Sequence, residues 1–171
     1  MFKKGDAIIH PVRGAGVIER IVERKRRGDI TLYYKIKLLG QPGTNVMIPI
    51  NAAEGLGLRP AIRQTELSRI WGVLRDSPHK LPADHKVRYR FLEDKLRTGD
   101  VLQVAEVVKD MAWRRQEEGR LTTVGKRIYE EGVMLLAGEI AAARGTDLAD
   151  AEAEVRGKLR DSLSLIPVMV S

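Results

Sequence analysis

Three histidines, His10, His79 and His85, and no cysteine make up the chain's whole stock of neutral-pH bases, thiols and soft metal ligands. Such groups could form a general base, a nucleophile or a nitrogen-rich metal site, but their spacing fits none of these. His79, Asp84 and His85 are close in sequence, yet they are spread along a proline-containing loop with no common ligand interval, so no metal is expected. A phosphate-loop glycine pattern and a nucleophile elbow are also missing. The acidic pairs Glu93-Asp94, Glu117-Glu118 and Glu130-Glu131 are neighbours on helical segments, where adjacent side chains diverge. They read as solvated surface. The inventory therefore offers no catalytic apparatus, and no cofactor is expected.

Cations are the side chains left with chemistry to offer. Arg24-Lys25-Arg26-Arg27 surrounds a hairpin tip, and Lys86, Arg90 and Arg97 recur four and seven residues apart as one helical stripe beside an apolar one of Tyr89, Leu92 and Leu96. Such groups can hold phosphates or an acidic protein face, and they can equally serve as plain solvated surface. Residues 1 to 58 carry 10 basic and 5 acidic side chains, residues 59 to 100 carry 10 and 6, and residues 101 to 171 carry 10 and 12. The positive field is thus concentrated in the first two segments, which favours a polyanionic neighbour.

These residues must be positioned by two kinds of element. From Ala7 to Ile50 the chain is rich in β-branched and aromatic residues broken by glycine and proline, the pattern of a small β-barrel. Strands are expected near 6–11, 15–25, 29–39 and 44–50, with Gly28-Asp29 at the hairpin tip. Gly14 and Gly16 are expected to allow a tight turn where a side chain would clash. A short helical turn and a domain junction follow between Asn51 and Pro60. Beyond it the apolar period becomes helical. Helices are expected near 64–74, 84–97, 100–118, 123–144 and 147–163, with Asp76-Ser77-Pro78-His79-Lys80-Leu81-Pro82 as a loop. Asp100, Thr122 or Thr123, and Thr146 are the expected caps, and Gly119 and Gly145 the stops. Trp71 and Trp113 fall on apolar stripes and are expected in the core. The apolar tail Ser164-Leu165-Ile166-Pro167-Val168-Met169-Val170 is expected to pack back on the bundle.

The fold class expected is α+β in two domains: an SH3/Tudor-like β-barrel over residues 1–58 and a helical bundle over 59–171. No run approaches the roughly 20 apolar residues of a membrane helix, and no signal-peptide segment opens the chain, so a cytoplasmic protein is expected. The absence of cysteine suits a reducing compartment.

Lys4-Gly5-Asp6-Ala7-Ile8-Ile9-His10-Pro11, Gly14-Ala15-Gly16-Val17-Ile18 and Asn45-Val46-Met47-Ile48-Pro49 resemble, in order and spacing, the N-terminal module of the CarD family of bacterial transcription regulators, which is shared with transcription-repair coupling factor. Gly99-Asp100-Val101, Val104-Ala105-Glu106-Val107-Val108-Lys109-Asp110 and Trp113-Arg114-Arg115-Gln116-Glu117 resemble that family's helical half. The resemblance implies a monomer that docks its barrel on the β subunit of RNA polymerase and lays its helical half on promoter DNA, in the minor groove at the upstream bubble edge. It places Arg24 where the family has a polymerase-contacting arginine, with Arg26 on the same face of the strand. Met47 stands where a second arginine is usual, and Pro49 closes that strand. On the DNA side it points to the helix expected near 84–97, where either His85 approaches the bubble edge, or His85 only starts the helix and Lys86, Arg88 and Arg90 do the work through phosphates. His85 occupies the position of the family's tryptophan wedge, and an imidazole offers less stacking surface than an indole. A free-standing nucleic-acid-binding protein and a polymerase adaptor without DNA contacts remain alternatives.

Overall fold

The computed structural model describes residues 1–164; residues 165–170 of the apolar tail lie outside the described part. Four strands, β1 (Ala7–His10), β2 (Gly14–Arg26), β3 (Asp29–Leu38) and β4 (Asn45–Pro49), follow the expected alternation. A single helical turn, α1 (Ile50–Ala53), leads to β5 (Arg59–Pro60), and the five strands form one antiparallel sheet in the order β4-β3-β2-β1-β5. Alternate residues close over a small core of Ile8, Ile18, Tyr34, Ile36, Leu38, Ile48, Ala53 and Leu58. This is the α+β, Tudor-like arrangement expected at the N-terminus. β5 itself departs from the reading of 51–60 as a turn and junction. It is held by β1, with Ile8 opposite Pro60 and Ile9 opposite Arg59.

The hairpin tip lies one position earlier than expected. Arg26 pairs with Asp29, which leaves Arg27-Gly28 as a two-residue turn with φ of 52° and 83°. Positive φ at both residues is the type I′ geometry, whose twist matches that of the flanking strands.

In the β1–β2 turn, His10 Nδ1 accepts hydrogen bonds from the Val12 and Arg13 backbone N–H groups at 3.0 Å each. Partial burial, and secondarily the nearby Arg13 charge, hold the His10 imidazole below its ordinary range. The unfolded chain therefore binds this proton more readily than the folded one. The contribution of His10 is fully present above its unfolded pKa of about 6.5 and is lost as pH falls below it. In His10→Asn the amide oxygen replaces Nδ1 as acceptor without titrating. Between pH 7 and pH 5 the urea midpoint of the parent should fall further than that of His10→Asn; parallel profiles would refute this account.

The helical half begins with a 3-10 turn at Gln64–Glu66 and comprises α2 (Leu67–Arg75), α3 (His85–Leu96), α4 (Val101–Glu118), α5 (Thr123–Arg144) and α6 (Leu148–Ser164). Asp100 accepts from Leu102 N–H, Thr122 accepts from Gly125 N–H, and Gly119 and Gly145 adopt the left-handed conformation that ends a helix. α6 starts at Leu148, so Asp147 rather than Thr146 occupies the position before it. α5 runs through the centre, burying Ile128, Val133, Leu136, Ala137, Ile140 and Ala141 against α4 and α6, and it also packs on β2. The tryptophans are only half-buried. Trp71 lies against the bundle core, with the Arg144 guanidinium and Lys158 ammonium 5.7 and 5.4 Å from its ring centroid, and Trp113 lines a surface groove beside His79. The Trp71 indole thus meets cations at the rim of the core.

Candidate docking face and nucleic-acid interface

The pairing of β2, β3 and β4 sets the first surface. A register shift between Ile18 and Arg20 places Arg20, Lys35 and Met47 in one row across the sheet, Val22, Tyr33 and Pro49 in the next, Arg24 opposite Thr31, and Arg26 opposite Asp29. Tyr34 and Ile48 in the intervening row are buried, so these rows all lie on the outer face. Arg24, Arg26, Met47 and Pro49 therefore share one side of the sheet. Met47, Pro49, Val22 and Tyr33 are half-buried and form an apolar middle, and exposed Arg24 and Arg26 extend it along the hairpin arm. Among the described residues neither arginine makes an ion pair, whereas Lys35 reaches Glu19 at 3.7 Å. An apolar centre with free guanidinium groups beside it suits an acidic, ridged protein surface. Alternation along β2 and β3 from Arg24 would have found Val22, Tyr33 and Lys35 as well.

The second surface is the N-terminal end of α3. Asp84 caps the helix, its Oδ1 accepting from Lys86 N–H at 3.0 Å and Val87 N–H at 3.1 Å. Those bonds, the one from Val87 foremost, hold its carboxyl below the usual carboxylate range. Lys86 and Arg90 lie one turn apart on the outward side, with Arg97 two turns further, and all three are exposed without ion pairs among the described residues. Lys95, on the same helix, instead pairs with Glu106, and Arg127 of the bundle pairs with Glu93.

His85 and Arg88 do not join that stripe. The His85 ring is exposed but turned toward Tyr89, with centroids 6.3 Å apart and an interplanar angle of 66°. Tyr89 in turn bonds the Thr122 hydroxyl at the start of α5. His85 thus stands at the tip of the helix, around its circumference from Lys86. Arg88 is a correction to the sequence reading. It is only 6 % exposed, and Nη1 donates to Pro82 O at 3.2 Å and Ala83 O at 3.0 Å. Four residues before Leu92, it belongs to the inward face of α3. Its work is to hold the loop that delivers Asp84 and His85.

Two exposed apolar residues, Val87 and Phe91, escaped the sequence reading and extend this outward face. Neither is signalled by the apolar period, which follows Leu92 and Leu96. His79 lies away from His85, its backbone N–H and Nδ1 both directed at Asp110. Among the described residues no three His, Asp or Glu side chains converge as a metal site would require. Within the same residues no helix is long and apolar enough to cross a membrane.

A small antiparallel barrel bearing a mixed apolar and cationic face is joined to a helical bundle with an exposed basic helix end, a two-domain α+β arrangement. Residues 2–62 match the CarD-like/TRCF RID domain, and residues 69–156 match the CarD C-terminal domain. The chain belongs to the CarD family, whose members are transcription factors. It is 30 % identical over 145 residues to a Bacillus subtilis (strain 168) protein named "Putative transcription factor YdeB", a span covering 85 % of this chain and 94 % of that one.

Proposed function

We propose that the chain is a bacterial transcription regulator acting in the cytoplasm on RNA polymerase, with two working domains, a barrel that ends with β5 at Pro60 rather than at residue 58 and a helical domain that follows it. The outer sheet face with Arg24, Arg26, Met47 and Pro49 docks on the polymerase β subunit. The N-terminal end of α3, through His85, Lys86 and Arg90, meets promoter DNA in the minor groove at the upstream edge of the bubble, with one copy acting per polymerase. Arg88 acts on that DNA only by holding the loop before α3. The observation that carries the reading is that two separate surfaces of one chain each bear exposed cations that make no ion pair among the described residues. Tethering by the first surface raises the local DNA concentration seen by the second, so weak phosphate contacts suffice. Contacts made better in the open than in the closed complex shift that equilibrium toward open, tenfold for each 1.4 kcal/mol of preference.

The test uses the full chain, purified bacterial polymerase and a promoter fragment. Arg24→Glu is expected to abolish polymerase binding, while Lys86→Glu with Arg90→Glu should leave binding intact and shorten open-complex lifetime. His85→Trp should lengthen that lifetime by up to about tenfold, since aromatic stacking on a base is worth about 1–3 kcal/mol and an imidazole already supplies part of it. Unchanged polymerase binding by Arg24→Glu would refute the docking face. Unchanged lifetime in the double variant would favour an adaptor that leaves DNA alone.

A further inference from the structure

Besides the packing of Leu39 on the bundle core, two close contacts on α5 join the barrel and the bundle. Glu139, in the C-terminal third of α5 and 3 % exposed, accepts from Arg59 Nη1 at 2.7 Å and Nη2 at 2.9 Å, and from Ile62 backbone N–H at 2.9 Å. Arg59 is fixed in the sheet by its pairing with Ile9, so the guanidinium belongs to the barrel and the carboxylate to the bundle. One residue earlier, the α5 backbone approaches β2 so closely that a Cβ on Gly138 would sit 3.3 Å from Ala15 Cβ. β1 lies between β2 and β5, which spaces the two contacts by about 10 Å across the sheet. Beside the ion pair the halves are separated by an open cleft of about 430 Å³, lined by Val12, Leu96 and Leu135 among others, so the pair spans a gap that side-chain packing leaves unfilled. Interfaces between domains commonly permit relative motion, whereas a bidentate guanidinium–carboxylate pair fixes both distance and direction.

We infer that Arg59 and Glu139, with the Gly138–Ala15 contact, are positioning residues that lock the two halves into one body and so set where α3 lies when the barrel is docked. This rests on the docking reading proposed above. Neither Arg59 nor Glu139 has a place in the surfaces assigned to polymerase or DNA.

The chain has no cysteine, so a single engineered disulfide can be added without side reactions. Ala15→Cys with Gly138→Cys would place the two Cβ atoms near the 3.5–4.5 Å separation that disulfides adopt. In residual dipolar couplings the parent should show one alignment tensor for both halves, and Glu139→Gln should show two. Arg59→Gln, at the partly exposed end of the pair, is the second variant should Glu139→Gln fail to fold. With polymerase and promoter, Glu139→Gln should keep polymerase binding and shorten open-complex lifetime at least about fivefold, the lower end of coupling between linked sites. Oxidising the added cysteine pair should restore the lifetime, and reduction should remove the rescue. One shared tensor in both variants would overturn the lock. Two tensors with an unchanged lifetime would overturn the positioning role. If the parent binds polymerase but does not prolong open complexes, the promoter part of the proposed function fails, and the positioning role fails with it.

Discussion

Asp110→Ala is expected to destabilise the fold by about 3–5 kcal/mol, the loss found when one partner of a buried charge pair is removed. The Asp110 side chain is 1 % exposed and lies 3.6 Å from the ammonium of Lys109, itself 2 % exposed. Its Oδ1 accepts from the His79 backbone N–H at 2.9 Å, and Oδ2 lies 3.1 Å from His79 Nδ1. Alanine would leave the Lys109 charge in a buried setting without its neighbouring carboxylate and free the His79 backbone from its anchor. For a chain of this length, each kcal/mol lowers Tm by about 2–4 °C, so a fall of roughly 10 °C is expected. Asp110→Asn retains an acceptor for the His79 backbone and should lose less. A loss under about 1 kcal/mol in urea unfolding of the alanine variant would show that Asp110 does not hold this corner. The consequence reaches the DNA surface, because His79 lies in the loop that ends at the Asp84 cap. A folded Asp110→Ala protein should therefore shorten open-complex lifetime more than Asp110→Asn does, with polymerase binding left in place.

The elements legible in the sequence were those whose signals are local. Asp100, Thr122, Gly119 and Gly145 mark helix ends by the chemistry of their own side chains or backbones, and the structure uses each of them there. Arg24 and Arg26 share a face because strand alternation is equally local, whereas the pairing of β2, β3 and β4 that brings Met47 and Pro49 to the same side is not. β5 was not legible, since two residues have no period of their own and become a strand only through β1, fifty residues earlier. Arg59–Glu139 is of the same kind, joining residues 80 apart in sequence. Arg88 and Asp110 are different. Arg88 stands four residues before Leu92, and Asp110 sits between Val107, Val108 and Met111, so both are polar residues on apolar faces. That conflict was visible, and it marks buried groups that need partners. Reading Arg88 as a phosphate contact counted its charge and passed over its place on the helix.

Gly16→Ala is expected to cost about 3 kcal/mol, at the upper end of overpacking, because the obstruction includes backbone. A Cβ at Gly16 would lie 2.7 Å from Ile36 Cγ2 and 2.9 Å from the Lys37 carbonyl oxygen, with Ile8 Cδ1 at 3.6 Å. Gly16 pairs with Ile8 on one side and Leu38 on the other, so no side-chain rotation relieves the contact and β3 must shift. Gly14 supplies the control. Its φ of +84° needs glycine, but a Cβ there meets nothing within 4 Å, so Gly14→Ala should cost only about 1–2 kcal/mol of left-handed strain. Equal losses in thermal unfolding would refute the steric account. The two glycines also differ in what they position. The rows that carry Arg20, Lys35 and Met47 begin just past Gly16, beyond the register shift, and a displaced β3 moves Tyr33 and Lys35 relative to Arg24. A folded Gly16→Ala protein should therefore bind polymerase more weakly than Gly14→Ala at temperatures where both are native. The docking face depends in this way on a residue that it does not contain.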